Sequence, residues 1–381
     1  MTKAAVATRR SQRASRTPRS PGTARDVFVD LFCGAGGMSL GFQHAGFQLA
    51  AGVDSSEIAA EIHERNFPDS VSICADLEDL TGGKIRRKAK LAGKSISLVV
   101  GGPPCQGFSV GGKRRKGDPR NQLVLEFARI VGELRPRYFV MENVAGLLQK
   151  KYRRLISSFK LAVKAEGYAI VEPIRLLNAA DFGVPQRRKR VFILGYRVGE
   201  VPPKYPKIRS QHVSVAMAIA DLKRVEKSKL VDGDGYSGKL RKPNPYVRRL
   251  RAIRVGKSNG VITGFARTEH SAKTVRRFGR VEAGDADKVS RFIRLKSSGV
   301  APTLRAGTGF ENGRFMAPRP IHPDLPRCIC LREAARLHSF PDSFVFHDTK
   351  WHGFMQIGNS VPPLLAHAVA TEIRRAIRKG K

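Results

Sequence analysis

Acidic residues are scarce in this 381-residue chain: 32 Asp and Glu stand against 70 Lys and Arg, a net charge of +38. An excess of that size repels itself in a compact state unless a polyanion screens it, so nucleic acid is the expected partner. A basic ribosomal or membrane-surface protein is the blander alternative. Long apolar runs are missing too: nothing approaches the roughly 18 uninterrupted apolar residues of a membrane span. Cysteines occur only at 33, 74, 105, 328 and 330, with no CxxC pair and no histidines spaced for zinc. That excludes a secreted disulfide framework and leaves no metal to expect. The odd count fits a reducing compartment in which a thiol is free to react.

What is present is enough for a proper core, because 41% of the residues are apolar. They are unevenly placed. Residues 1–25 carry Lys3, Arg9, Arg10, Arg13, Arg16, Arg19 and Arg25, no acid and almost no large apolar side chain. Such a tail cannot bury a core and is expected to be disordered. It reads as an organelle transit peptide, a phosphate-contacting arm or tolerated disorder. Apolar, β-branched runs then recur at 27–32, 49–53, 71–74, 97–100, 138–141 and 190–194, with helical spacing at 38–45, 57–65, 122–134 and 155–166. Strands alternating with helices predict an α/β fold with a parallel, doubly wound sheet. From 196 to 327 the periodicity fades, Pro and Gly become frequent, and nearly half of the chain's positive excess collects. This predicts a second, smaller, irregular domain with a basic face, after which 331–338 and 364–378 read as helices returning to the sheet. The expected layout is a tail at 1–25, a first domain at 26–195, the insert at 196–327 and a returning segment at 328–381.

Two segments carry the chemistry. After the first strand comes the turn Cys33-Gly34-Ala35-Gly36-Gly37, and a glycine turn between strand and helix lets a ligand approach the backbone. The dinucleotide spacing GxGxxG fails here, since Ser39 follows Gly34 and Gly36. Asp54, closing the second strand, can accept from ribose hydroxyls, and Asp76, after the third, can serve an adenine amino group. A nucleoside cofactor and a plain tight turn with two solvated carboxylates remain open at this point. The second segment, Gly102-Pro103-Pro104-Cys105-Gln106-Gly107-Phe108-Ser109, fixes the backbone just past the fourth strand and presents a thiol where open α/β sheets bind ligands. A soft thiolate is the right nucleophile for an electron-poor pyrimidine ring. Lys113-Arg114-Arg115-Lys116 follows between glycines, which suits a lid closing on phosphates. A structural cysteine beside a surface loop is the ordinary alternative, and it explains neither the two prolines nor the lid.

From Asp26 to Ala370 the chain resembles the cytosine-C5 DNA methyltransferase family. Asp30-Leu31-Phe32-Cys33-Gly34-Ala35-Gly36-Gly37 looks like its S-adenosylmethionine motif and Pro103-Pro104-Cys105-Gln106 like its nucleophile motif. Glu142-Asn143-Val144 matches its acidic motif, and Gln186-Arg187-Arg188-Lys189-Arg190 its QxRxR motif. Arg332-Glu333-Ala334-Ala335-Arg336-Leu337 with Phe340-Pro341 resembles the ninth motif, and Gln356-Ile357-Gly358-Asn359-Ser360-Val361-Pro362-Pro363 the tenth. Six motifs in order, with a variable insert before the ninth, are far more specific than any one. Asp54 departs from the Glu of many members, and a shorter carboxylate can do the same work.

The resemblance implies a Rossmann-like sheet that uses S-adenosyl-L-methionine, with Phe32, Gly34, Gly36, Gly37, Asp54, Asp76, Pro104, Asn359 and Ser360 around it. Cys105 would add to carbon 6 of a flipped-out cytosine. Glu142 would hold a proton against N3, and Arg188 and Arg190, two apart on an extended segment, would serve the base O2 and the wall of the site. Gln106, Ser109, Lys113, Arg114 and Arg115 would contact DNA. The insert would be the target-recognition domain, its Thr303-Leu304 pair typical of such domains. Arg305 there would reach either a guanine edge or a phosphate.

The implied partner is double-stranded DNA, with a cognate restriction endonuclease as candidate companion. The implied enzyme is a monomer in a prokaryotic cytoplasm, associated with the nucleoid. Three rivals exist. A tRNA cytosine-5 methyltransferase would carry a Cys-Phe-Thr tripeptide, absent here. A non-catalytic DNA-binding regulator would have no need of Cys105, Glu142, Arg188 and Asn359 together. An NAD-linked dehydrogenase fails at the glycine spacing.

Overall fold

The computed structural model describes residues 26–104, 122–208, 211–256, 260–307 and 319–380. Val27–Leu31 (β1) leads through Gly37–His44 (α1) to Gln48–Asp54 (β2), Glu57–Asn66 (α2) and Val71–Cys74 (β3). Gly82–Lys88 (α3), Leu98–Gly101 (β4), Gln122–Leu134 (α4) and Tyr138–Val144 (β5) continue the alternation. Next come Arg153–Ala165 (α5), Tyr168–Ile170 (β6), Arg175–Asn178 (β7) and Lys189–Arg197 (β8). Val215–Ile219 (α6), Pro245–Ala252 (α7) and Ala272–Gly279 (α8) follow, then Leu331–Leu337 (α9), Lys350–Asn359 (α10) and Pro363–Lys379 (α11).

The strands form one sheet in the order β3-β2-β1-β4-β5-β8-β6, with β7 also paired to β8. β1 to β5 are mutually parallel, the doubly wound half that the alternation predicts. β8, expected from the apolar run at 190–194, runs antiparallel to β5, β6 and β7, a direction the run does not announce. β6 and β7 are three and four residues long, and Arg175 and Leu176 are exposed, so neither shows an apolar run or a clean alternation.

Alternation along the central strands sends side chains to opposite faces. Phe28, Leu98, Val100 and Val140 join one core with α1 and α11, while Val29, Val99 and Phe139 join the other with α4 and α5. α4 forms because Val124, Phe127, Ala128, Ile130, Val131 and Leu134 make one buried stripe at helical spacing. α11 opens on Pro363, whose fixed φ suits a first turn. In the insert, α6 and α7 bury Val215, Ile219, Val247 and Leu250 in the same core as the sheet. Arg336 on α9 is fully buried and reaches Asp342 with two bonds of 2.6 and 2.8 Å and Asp221 at 2.8 Å. Arg251 bridges the same two carboxylates and so ties α7 to α9. The later insert has only small clusters of its own: Leu222, Val225 and Phe265 with Cys330, and Phe278 and Ile321 with Cys328. Among the described residues no helix is long and apolar enough to cross a membrane.

α1 and α11 approach most closely at Gly41. A Cβ there would press on the Ala366 methyl and lie 2.7 Å from the Pro363 carbonyl oxygen, with backbone that cannot swing away. Alanine gains about 1 kcal/mol of helix propensity over glycine, while overpacking a tight contact costs about 1–3 kcal/mol. The contact wins, so Gly41→Ala lowers the urea midpoint at unchanged slope. Adding Ala366→Gly recovers part of the loss, and a midpoint at or above wild type would contradict this packing.

Candidate active site

The C-terminal ends of the parallel strands bring the functional side chains together. β1 runs into a turn in which Phe32 (φ 57°), Gly34 (φ 54°) and Gly36 (φ 101°) all take left-handed backbone. Non-glycine φ > 0 is uncommon, so Phe32 is held there by its surroundings. Cys33 N–H donates to Val53 O at 3.0 Å, and Gly34 N–H donates to the Asp54 carboxylate at 2.8 Å. Asp54 also accepts from Ser56 N–H at 3.0 Å. Burial raises its pKa, and the two N–H donors oppose that. Phe32, Val53, Asp54, Ala75, Asp76 and Pro104 line one cleft, and the Cβ position of Gly34 faces open space. An apolar wall, an aromatic ring and two carboxylates at strand ends suit a nucleoside with a ribose, as S-adenosylmethionine has. Asn359 is exposed at the end of α10. Ser360 instead spends its hydroxyl on Gln356 O at 2.7 Å and packs beside Gly37.

Beneath the turn lies a polar network that sequence reading passes over. Ser39 Oγ donates to Asp30 Oδ2 at 2.5 Å and meets His63 Nε2 at 3.1 Å, and His63 Nδ1 meets Ser72 Oγ at 2.9 Å. Asp30, Ser39 and His63 are fully buried. Burial pushes the Asp30 carboxyl from the ordinary 3.8 up to about 7 and the His63 imidazole down to about 3. His63 is therefore neutral, and its Nε2–H can donate to Ser39 while Nδ1 accepts from Ser72.

One strand beyond β4, Glu142 is buried on β5 and pairs with Arg190 Nε of β8 at 2.9 Å. Desolvation raises the Glu142 pKa against the pull of Arg190 and Arg188. The net effect is a carboxyl able to keep a proton nearer neutrality. Glu142 also lies against Gly102, the residue before Pro103. Its neighbour Asn143 donates to Pro103 O at 3.3 Å and accepts from Val144 N–H, bracing the Pro-Pro segment.

The two arginines of the QxRxR segment take different partners. Arg190 serves Glu142. Arg188 is fully buried and donates to Leu304 O at 3.0 Å and to Gly358 O at 2.6 Å. Gln186 accepts from Leu304 N–H and donates to Leu337 O, and its amide also meets His338 Nδ1. Arg187 N–H donates to Ala301 O, Ala301 N–H to Pro185 O, and Thr303 Oγ1 to Arg187 O at 2.6 Å. Residues 301–304 are thus zipped to 185–188. Arg305 and Ala306 pack against Gly358 with no room for a Cβ there. Thr303 and Arg305 are exposed beside this zipper. Sequence reading missed the roles of Gln186 and Asn143, although both stand inside motifs it noted. Cys105, Gln106, Ser109, Lys113, Arg114 and Arg115 lie outside the described residues.

A cleft lined by an aromatic ring and two strand-end carboxylates, beside a buried carboxyl of raised pKa, suits a class: an α/β enzyme that holds a nucleoside cofactor. The profile of the family described as C-5 cytosine-specific DNA methylase matches residues 27–375. The chain belongs to that family and is a DNA cytosine-5 methyltransferase. It is 46% identical over 365 residues to the Type II methyltransferase M.XorII of Xanthomonas oryzae pv. oryzae, covering 93% of this chain and 86% of that one. It is 32% identical over 380 residues to M.DdeI of Desulfomicrobium norvegicum, covering 91% and 88%. Among solved structures, a protein described as a DNA modification methyltransferase encoded within an E. coli prophage superposes with a TM-score of 0.79. That pair is 33% identical over 92% of this chain and 99% of the other.

Asp30 sets a pH signature. Its folded pKa, about 7, exceeds the unfolded value near 3.8, so the stability it contributes is full below about pH 4. That contribution is lost as pH rises towards 7. Asp30→Asn keeps an oxygen for Ser39 and carries no charge at any pH. The difference in melting temperature, variant minus wild type, should therefore grow from pH 5 to pH 8. Parallel melting curves across that range would mean that Asp30 does not titrate there.

Proposed function

We propose that this enzyme methylates carbon 5 of a cytosine swung out of duplex DNA, with Cys105 joined transiently to carbon 6. The observation that carries the reading is Glu142: a buried carboxyl with a raised pKa, steered by Arg190 and packed against the segment that leads into Pro103-Pro104-Cys105. Three of the four other thiols compete poorly, and the fourth, the exposed Cys74, stands at the end of β3. Cys33, Cys328 and Cys330 are buried with raised pKa, the last two up to about 11 and 12.

The chemistry follows from these groups. Carbon 5 of cytosine is too weak a nucleophile unaided. The Cys105 thiolate adds to carbon 6, the ring loses its aromaticity, and electron density moves towards carbon 5 and N3. Glu142 holds a proton at N3 and so neutralises the charge that develops there. Arg190 keeps that carboxyl in place. S-adenosylmethionine, when bound by Phe32, Asp54, Asp76 and Pro104 around the Gly34–Gly37 turn, supplies an electrophilic methyl group on a sulfonium. Loss of the carbon-5 proton and β-elimination then return Cys105 as a thiolate. A base stacked in a duplex is out of reach of a thiol, which is why flipping is part of the reading. Gln106, Ser109, Lys113, Arg114 and Arg115 follow Cys105 in sequence and are read as the contacts to the opened duplex.

We assign residues 196–327 to target reading and 26–195 with 328–381 to chemistry, with Thr303 and Arg305 as DNA contacts. What supports this is the exposure of both side chains next to Arg188 and α10. We read the setting as a monomer in a bacterial cytoplasm with a cognate endonuclease; what supports the restriction–modification part is the similarity to Type II methyltransferases.

The covalent path is tested with 5-fluorocytosine in the target, which blocks the final proton loss. Wild type forms a complex stable on a denaturing gel, and Cys105→Ser forms none and retains no measurable turnover. Glu142→Gln slows formation of that complex by about 10²–10⁴-fold. A trapped complex with Cys105→Ser would remove Cys105 from the mechanism.

Target reading has its own test. Arg305→Ala is assayed on duplexes varied one base at a time around the methylated word. Loss of a base contact costs about 1–3 kcal/mol of discrimination at one position. A uniform fall across all duplexes would make Arg305 a phosphate anchor instead.

A further inference from the structure

The N-terminal ends of the parallel strands lie at the edge of the sheet opposite the catalytic cleft, and they too are strongly basic. The last turn of α3 and the loop into β4 carry Arg87, Lys88, Lys90 and Lys94, all exposed. The loop from α4 into β5 adds Arg135, and the end of α11 adds Lys379, both exposed. Hydrogen bonds show that these segments adjoin. Arg86 reaches Lys94 O and Leu134 O, Arg137 N–H donates to Ile96 O, and Arg197 holds the carbonyls of Arg135 and Pro136. Gly380, beside Lys379, sits against Val201 and Arg137.

These six cations have no carboxylate partner among the described residues. Nearby acids are already paired, Glu200 with Arg137 and Glu372 with Arg375. Glu133, Glu166 and Asp26 are further acids at this edge, and Glu133 is already held by Arg129 and the Gly82 N–H. Helix dipoles favour cations in a last turn by about 0.3–1 kcal/mol, which accounts in part for Arg87, Lys88 and Lys379. Dipoles do not account for Lys94. Nor do they account for Lys90 (φ 53°) and Arg135 (φ 50°), cations at left-handed positions where glycine is the easier residue.

The charge ledger points the same way. A duplex on the catalytic edge meets about 6–10 phosphates, a minor share of the net +38. Strands of four to seven residues separate the two edges by roughly 13–23 Å. One straight duplex cannot lie on both.

We propose that this opposite edge is a second docking face for duplex DNA, bound through backbone phosphates without regard to sequence. The proposal rests on duplex DNA being the substrate. It would let the enzyme hold one segment of DNA while the catalytic edge works on another.

The test titrates the full chain, at low salt, with a fluorescent duplex about two helical turns long built of A·T pairs only. Wild type takes up two duplexes per chain and carries a labelled duplex onto one fixed to a bead. The variant Lys88→Glu/Lys90→Glu/Lys94→Glu/Arg135→Glu takes up one and does not bridge. It methylates a short target duplex within about twofold of wild type, because no substituted side chain lies at the catalytic edge. Should that variant fail to fold, Lys88→Gln/Lys94→Gln/Lys379→Gln changes only exposed side chains and weakens the second duplex by about tenfold or more. One duplex per wild-type chain overturns the proposal, as does a folded variant that still takes up two. So does a variant that keeps both duplexes but loses binding to phosphatidylserine vesicles, which would make the face a membrane surface. A wild-type chain that methylates no duplex would count against the substrate reading, and the duplex count would still judge this face.

Discussion

Arg188 is fully buried, yet its guanidinium donates to two carbonyl oxygens, Leu304 and Gly358, with no carboxylate in hydrogen-bond contact among the described residues. Burying a charge costs several kcal/mol unless it is well solvated by protein dipoles. The cost appears in Arg188 itself, whose proton affinity burial and the nearby Arg190 push well down, against the pull of Glu142. What the fold gains is geometry. Three segments far apart in the chain (the loop carrying Thr303 and Arg305, the start of β8 and the last turn of α10) share one planar, rigid donor. Gln186 repeats the arrangement one step earlier, gripping Leu304 N–H and Leu337 O. Neither the loop carrying Thr303 and Arg305 nor the segment carrying Asn359 can shift without straining the strand that holds Arg190 against Glu142.

That coupling explains why a pair as exposed to disruption as Glu142–Arg190 can stay ordered. An acid with a raised pKa is useful only while it is kept dry and aimed, and both conditions depend on neighbours that the acid does not touch. Asn143 contributes from the other side by fixing Pro103. Below the cofactor turn, the Asp30–Ser39–His63–Ser72 chain plays a comparable part for Phe32 and Gly36. The His63 ring packs under Gly36 and Gly52, so the turn rests on a polar support within the core.

Much of this was legible beforehand, and the reasons are specific. β1, β4 and β5 announce themselves because strands buried on both faces are continuous apolar runs. α4 and α11 do so because their stripes are long. Helices expected at 122–134 and 364–378 match α4 and α11 to within a residue. α10 escaped because Lys350–Asn359 mixes two glycines with polar residues and shows no stripe. β6 and β7 escaped because short edge strands have too few residues to display a period. At the site, Glu142, Arg190 and Asp54 were singled out from sequence, and the structure sets Glu142 against Arg190 and Asp54 beside the glycine turn. Arg188 was read as a partner of the base, whereas its observed bonds are to backbone. Spacing tells which side chains leave a strand on one face, and it is silent on which carbonyls come to meet them. Asp30 and His63 escaped for the converse reason: a lone acid and a lone histidine in sequence carry no sign that burial will link them.

The packing of α11 on α1 has a further meaning for truncation of the chain. Arg374 of α11 holds the carbonyl of Ala45, 329 residues earlier, and Val361 and Ser360 lie against Gly37 in the cofactor turn. The turn that follows β1 is completed by the segment between α10 and α11. All eight strands of the sheet precede the segment that closes this turn. Cutting the chain before α10 would therefore leave the glycine turn without its far wall, even though every strand of the sheet would be present.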